Sequence, residues 1–143
     1  MKKVKLSLNY SGYCLANEKH VLKGANNRLI KFHALYALIH HPEEGYILFD
    51  TGYTSRFFDA TKYYPNKIYA QLTKVFLGST EDVKSQLKEV GLETDDIKHI
   101  IISHFHADHI GGLRDFNKAK FYCSAQAYNF LNQMNDFFAF SKG

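Results

Sequence analysis

Val4, Leu6, Leu8 and Tyr10 alternate with Lys5, Ser7 and Asn9. A period of two predicts a half-buried opening strand, punctuated by Ser11-Gly12. Residues 15–28 are polar and rich in Asn and Gly, which predicts a loop. A second apolar stretch covers residues 29–39, a turn follows at residues 41–45, and residues 46–49 return as a short strand. Together these predict an antiparallel hairpin. Residues 53–78 lean towards helix, with Pro65 separating two short ones. Ser79-Thr80-Glu81-Asp82 is an N-cap signal. Val83, Leu87 and Val90 then share one helical face, and Gly91 stops the helix. Asp95-Asp96 is a turn, and the three consecutive isoleucines in residues 98–103 predict a buried strand. Residues 110–116 (IGGLRDF) can start a helix. Residues 119–123 predict another strand, and Ser124 caps a helix over residues 125–135 with Tyr128, Leu131 and Met134 at apolar spacing. The order is strand-rich, then helix, strand, helix, strand, helix. It predicts an α/β fold of the mixed-sheet α+β kind, with helices covering one face.

Composition adds limits. The chain has 143 residues, 45% hydrophobic and 22% charged, an ordinary globular balance and one domain's length. No run of 18 apolar residues offers a membrane span. The net charge of +4 is uneven. Residues 1–78 carry eleven basic against five acidic side chains, and residues 79–143 seven against nine. The lysines are scattered, so a nucleic-acid partner is not expected. Cys14 and Cys123 form no CxxC pair and are expected to be buried free thiols. With no apolar stretch after the first lysines, a reducing cytoplasm is the expected location.

The stretch His104-Phe105-His106-Ala107-Asp108-His109 changes the picture from fold to chemistry. Three imidazoles and a carboxylate within six residues suit zinc and other first-row metals. On an extended strand end, His104 and His106 point the same way, so they can hold one ion together. Asp108 and His109 lie where the chain turns into a helix and can face a second ion. Two metals about 3.5–4 Å apart form a known hydrolytic device. With eight His in the chain, chance produces this pattern in roughly one such sequence in a thousand. Gly111-Gly112 lets the helix start sit close to the metal loop. Asp50 closes the 46–49 strand before Thr51-Gly52, and such an Asp is either a turn former or part of the site.

SHFHADHIGG after an apolar strand resembles the HxHxDH signature of the metallo-β-lactamase fold superfamily, and YILFDTG upstream resembles its second marker. Among relatives, the chain looks most like the N-acyl-homoserine-lactone lactonase group. The resemblance implies that His104 and His106 bind a first metal and that Asp108 and His109 bind a second. It also implies that Asp50 supports the metal loop without being a ligand. Two zinc ions are implied in the complete domain, with iron or manganese as alternatives. The chemistry implied is attack of metal-activated water on an ester, lactone, thioester or similar bond of a small-molecule substrate. Asp108 would pass a proton to the leaving group. Phe57, Phe58, Tyr63, Tyr64 and Tyr69 could line an apolar acyl pocket, form a dimer surface, or bury their rings in the core.

The chain departs from that family in one respect: no histidine follows His109, and Asp115 and Asp136 are the remaining aspartates. The family's fold is a four-layer αββα sandwich of two similar halves. Residues 1–143 are therefore expected to be a single incomplete domain, the N-terminal half, with an active full-length parent and an inactive chain by itself. The missing C-terminal half or a homodimer would cover the bare sheet face. The alternatives are an inactive half-domain serving as a binding or assembly module, and a phosphodiesterase acting on nucleic acid or nucleotide.

Overall fold

A computed structural model describes residues 3–135, with side chains described as far as residue 131. The alternating N-terminal residues form a strand, β1 (Lys5–Asn17), that runs beyond Ser11-Gly12. Its register against β2 (Leu29–His41) shifts between Tyr10 and Tyr13. Gly12 sits in the shift at φ +69°, and a Cβ there would come within 2.5 Å of the Phe76 carbonyl oxygen. Gly12 is thus a bulge inside a strand and not its end. Residues 15–17, expected in a loop, are strand, and a short helix α1 (Glu18–Val21) follows, capped by the Asn17 side chain.

The hairpin of β2 and β3 (Gly45–Phe49) forms as the alternation predicts. Two short helices, α2 (Arg56–Ala60) and α3 (Asn66–Leu72), lie on either side of Pro65. The ring-rich segment then ends in β4 (Lys74–Phe76), an unexpected strand paired with β1. Helix α4 (Val83–Glu89) starts at Asp82, whose side chain accepts from Ser85 N at 2.9 Å. Val83 and Leu87 are buried, but Val90 is 66% exposed because it is the C-cap, beyond the helical face. β5 (Ile97–Ile102) and β6 (Lys120–Cys123) complete the sheet. The helix expected from residue 110 begins earlier, as α5 (Ala107–Ile110), inside the histidine motif. The last helix, α6 (Ala125–Asn135), starts where Ser124 Oγ accepts from Ala127 N. The Met134 side chain, Asp136 and the final apolar residues lie outside the described part.

The sheet has the order β4-β1-β2-β3-β5-β6. Pairing is antiparallel as far as β3 and parallel for β3–β5 and β5–β6. The fold is therefore α/β with one mixed sheet. Its main core lies on one face, where Val83 and Leu87 of α4 meet Tyr36, Leu48, Ile97, Ile100, Ile102 and Phe116. The opposite face is apolar and open. Register places Leu8, Ala37, Phe49, Ile101 and Tyr122 in one row across five strands, and Leu8 is 72% and neighbouring Leu35 60% exposed. The opening strand is thus not half-buried as its alternation predicts. Its apolar side faces outward because the helices pack on the other side. Cys14 is half-buried and Cys123 exposed, which corrects the expectation of two buried thiols. No helix among the described residues is long and apolar enough to cross a membrane.

Candidate metal centre

Parallel strands release their loops on one edge, so the loops after β3 and β5 meet. Asp50 ends the first, and residues 103–112 form the second. Asp50 is 2% exposed and holds φ +62°, a backbone region that Asp adopts more readily than bulky residues do. In that conformation its carboxylate accepts three hydrogen bonds. Ser103 N donates to Oδ1 at 2.8 Å, and Ser103 Oγ to Oδ2 at 2.7 Å. His109 Nδ1 meets Oδ2 at 2.7 Å. Thr51 continues the contact: its N–H and hydroxyl donate to the His109 carbonyl at 2.8 and 3.0 Å. Its hydroxyl oxygen also accepts from Gly112 N at 3.1 Å. A Cβ on Gly111 would lie 2.6 Å from the Gly52 carbonyl oxygen, so the two loops touch backbone to backbone.

The four motif residues come together as two pairs. His104 Nε2 lies 3.1 Å from His106 Nδ1. His109 Nε2 lies 3.2 Å from Asp108 Oδ2. The His104 and His109 rings are 4.0 Å apart by centroid, which joins the pairs into one cluster. Burial lowers the His104 pKa, and charge on His109 and His106 lowers it further. Burial also disfavours charge on His109, yet hydrogen bonds to Asp108 and Asp50 override it and raise the pKa to about 9. Burial opposes the Asp108 carboxylate as well, but its hydrogen bond with His109 prevails and holds it below the usual range. Imidazole nitrogens facing each other beside a carboxylate are a donor set that fits a first-row metal ion. They fit it as part of a ligand set: among the described residues, no three His, Cys, Asp or Glu side chains enclose an ion by themselves.

The five predicted pocket rings separate. Phe57 is buried in a small core with Tyr53 and Ala34, against which Cys14, Val75 and Ala107 pack. Its ring lies 5.6 Å from Phe58 and 6.0 Å from Tyr69, both partly exposed. Tyr63 and Tyr64 stand exposed beneath Lys62 and Lys67. Tyr53, fully buried and close enough to Asp108 and Cys14 to feel their charge, was not singled out from the sequence. Neither was Ser103, although it directly precedes the motif. Thr51 lies within the DTG marker without a role assigned to it, and Thr54 carries no motif that would have flagged it.

The family model of the metallo-beta-lactamase superfamily matches residues 31–139. A probable metallo-hydrolase of Mycobacterium bovis is 28% identical over 90 residues, which is 63% of this chain and 28% of that protein. An N-acyl homoserine lactonase of Agrobacterium fabrum is 31% identical over 75 residues, 52% of this chain and 26% of its own length. A solved N-acyl homoserine lactone hydrolase, with N-hexanoyl-L-homoserine bound at its catalytic metal centre, superposes with a TM-score of 0.75 at 26% identity. That match covers 90% of this chain and 52% of the solved one. The chain thus spans about half the length of the solved structure and less of the other two relatives.

Proposed function

We propose that this chain, which belongs to the metallo-beta-lactamase superfamily, contributes one half of a metal-dependent hydrolase that opens a lactone or cleaves a similar small ester. The observation that supports this reading is the pairing of His104 with His106 and of Asp108 with His109, braced by buried Asp50. His104 Nε2 and His106 Nδ1 would hold one ion, and Asp108 Oδ2 and His109 Nε2 the other. Zinc suits the nitrogen-rich set best. Ions held there would supply an activated water and polarisation of the carbonyl to be attacked.

The chain's own residues prepare that chemistry. Asp50 accepts a hydrogen bond from His109 Nδ1–H, so Nε2 is the nitrogen that would bind an ion once it gives up its proton. Ser103 fixes Asp50 from two sides. Asp108 is held ionised at neutral pH, so it begins as a proton acceptor. It would take the proton that the attacking water releases and hand it to the leaving oxygen as the C–O bond to that oxygen breaks. The remaining ligands would come from the complementary half of the domain, packed on the open apolar face. A concavity of about 730 Å³ on that face is lined by Ile47, His99, Ile101 and Tyr122.

Histidine NMR during a Zn²⁺ titration tests the reading. His104, His106 and His109 signals are expected to shift together, and Zn²⁺ binding to weaken in a His104→Ala, His106→Ala variant. Supplied with its complementary half, the chain is expected to open an N-acyl homoserine lactone. A titration that moves none of the three histidines refutes the metal centre.

A further inference from the structure

Helix α5, which carries Asp108 and His109, has four residues. A helix that short cannot satisfy its own end groups, and it has no stability in isolation. Carbonyls at its C-terminal end must find donors elsewhere, and those of His109 and of the cap residue Gly111 find them on the segment that follows Asp50. Thr51 serves the His109 carbonyl. Thr54 Oγ1 donates to the Gly111 carbonyl at 2.9 Å. Arg56 Nη2 approaches the same carbonyl at 3.5 Å. The Arg56 guanidinium also grips Asp115, Nη1 to Oδ1 at 3.1 Å and Nη2 to Oδ2 at 2.5 Å. Asp115 lies in the turn directly after Gly111-Gly112, and its side chain is only 16% exposed. Residues 50–56 and 103–115 are therefore joined rung by rung: Asp50 to Ser103 and His109, Thr51 to His109 and Gly112, Thr54 to Gly111, Arg56 to Asp115.

We infer that Arg56 and Asp115 act as a clamp that holds the loop bearing Asp108 and His109 in place, making both positioning residues of the metal centre. The inference rests on the metal reading above for its consequence, though not for its geometry. Three features favour it over an incidental ion pair. The pair is two-pronged, which fixes orientation as well as distance. It is partly buried: the Arg56 side chain is 37% exposed, but its Nε is enclosed and makes no hydrogen bond of its own, so that nitrogen has given up water to sit there. It closes the last rung beyond Gly111, whose carbonyl is the final one that the metal loop presents to residues 50–56. The same grip occupies both oxygens of Asp115. This aspartate, the first after His109, is thereby engaged with Arg56 and is not turned to an ion.

The test uses the full chain with Asp115→Asn, Arg56→Lys and the exchanged pair R56D/D115R. Amide hydrogen exchange at residues 107–112 is read without metal, and Zn²⁺ affinity by competition with a chromophoric chelator. Asp115→Asn and Arg56→Lys are expected to speed exchange in the loop about ten-fold while the β1–β2 ladder keeps its protection. They are expected to weaken Zn²⁺ binding about ten-fold, as outer supports of metal ligands do, with partial recovery in the exchanged pair. Unchanged loop exchange overturns the clamp. So does a lowered thermal midpoint with unchanged Zn²⁺ affinity, since a merely structural pair behaves that way. If the parent chain binds no ion at all, the metal reading falls, and loop exchange still decides the clamp.

Discussion

Asp50→Asn removes one charge and almost no volume, which makes it the sharpest probe of the site. Asn tolerates the positive φ at position 50 at least as well as Asp, so the backbone should not move. Oδ1 remains an acceptor for Ser103 N, but an NH₂ replaces Oδ2 opposite Ser103 Oγ and His109 Nδ1. Two charge-assisted hydrogen bonds become neutral ones, at a loss of about 1 kcal/mol each. The direction of the bond at His109 also reverses. Its Nδ1 must now accept, so Nε2, the nitrogen proposed as the ligand, has to keep its proton. About 2 kcal/mol corresponds to roughly 30-fold in an equilibrium constant, within the 10–100-fold range expected when a ligand loses its outer partner. Chelator competition should therefore show Zn²⁺ bound roughly 30-fold more weakly. His109 should titrate by NMR below its value of about 9, because one of its two carboxylate partners is gone. A variant that keeps the His109 midpoint and binds Zn²⁺ within two-fold of the parent refutes the role assigned to Asp50.

Other consequences follow from packing and charge. Gly111→Ala would put a methyl 2.6 Å from the Gly52 carbonyl oxygen and 2.9 Å from that of Ala107. It is expected to lower stability in urea by about 1–3 kcal/mol, and an unaltered midpoint would mean that the loops are less closely packed than they look. Leu87→Ala, which empties the core beneath α4, should cost about 2–5 kcal/mol. Leu8→Lys on the open face should change stability by no more than about 0.5 kcal/mol, and a large loss would show that this face is covered in the isolated chain. The His109 pKa is raised from 6.5 to about 9 in the folded chain, so its contribution to stability is complete below the lower value. It is lost as pH rises through the higher one. In chelator, the urea midpoint should fall between neutral pH and about 9.5, and a flat profile would contradict the Asp50–His109–Asp108 link.

The parts of the fold legible in the sequence are those whose signals are local. The β2–β3 hairpin, the Asp82 cap of α4, the isoleucine strand β5 and the Ser124 start of α6 are each written in consecutive residues. Errors arise where a local signal has two structural meanings. Ser11-Gly12 punctuates chains that turn, but here Gly12 absorbs a bulge and β1 continues. Tyr13, Cys14 and Leu15 pair with β4, a strand of three residues that only its partner can stabilise. Alternation along β1 correctly separates two faces, yet it cannot say which neighbour covers them. The apolar face of Leu6, Leu8 and Tyr10 is exposed in this chain.

The site shows the same division more sharply. His104, His106, Asp108 and His109 announce themselves through spacing, because neighbours on one loop need little help from the fold to meet. Their supports do not, because each reaches across more than fifty residues of sequence: Asp50 to Ser103 and His109, Thr54 to Gly111, Arg56 to Asp115. Asp50 was visible because it ends a strand in a characteristic tripeptide, whereas Thr54 and Arg56 sit in a stretch that reads as the start of an aromatic helix. Their hydrogen bonds go mostly to backbone carbonyls or to one loop aspartate, and neither target has a sequence signature. What makes them consequential is the shortness of α5. A longer helix would satisfy more of its own carbonyls and could tolerate the loss of any one donor. A four-residue turn carrying two proposed ligands cannot, so its geometry is set by the neighbouring loop. Metal affinity should therefore depend on residues 51–56 as well as on the histidines, by about ten-fold at each support.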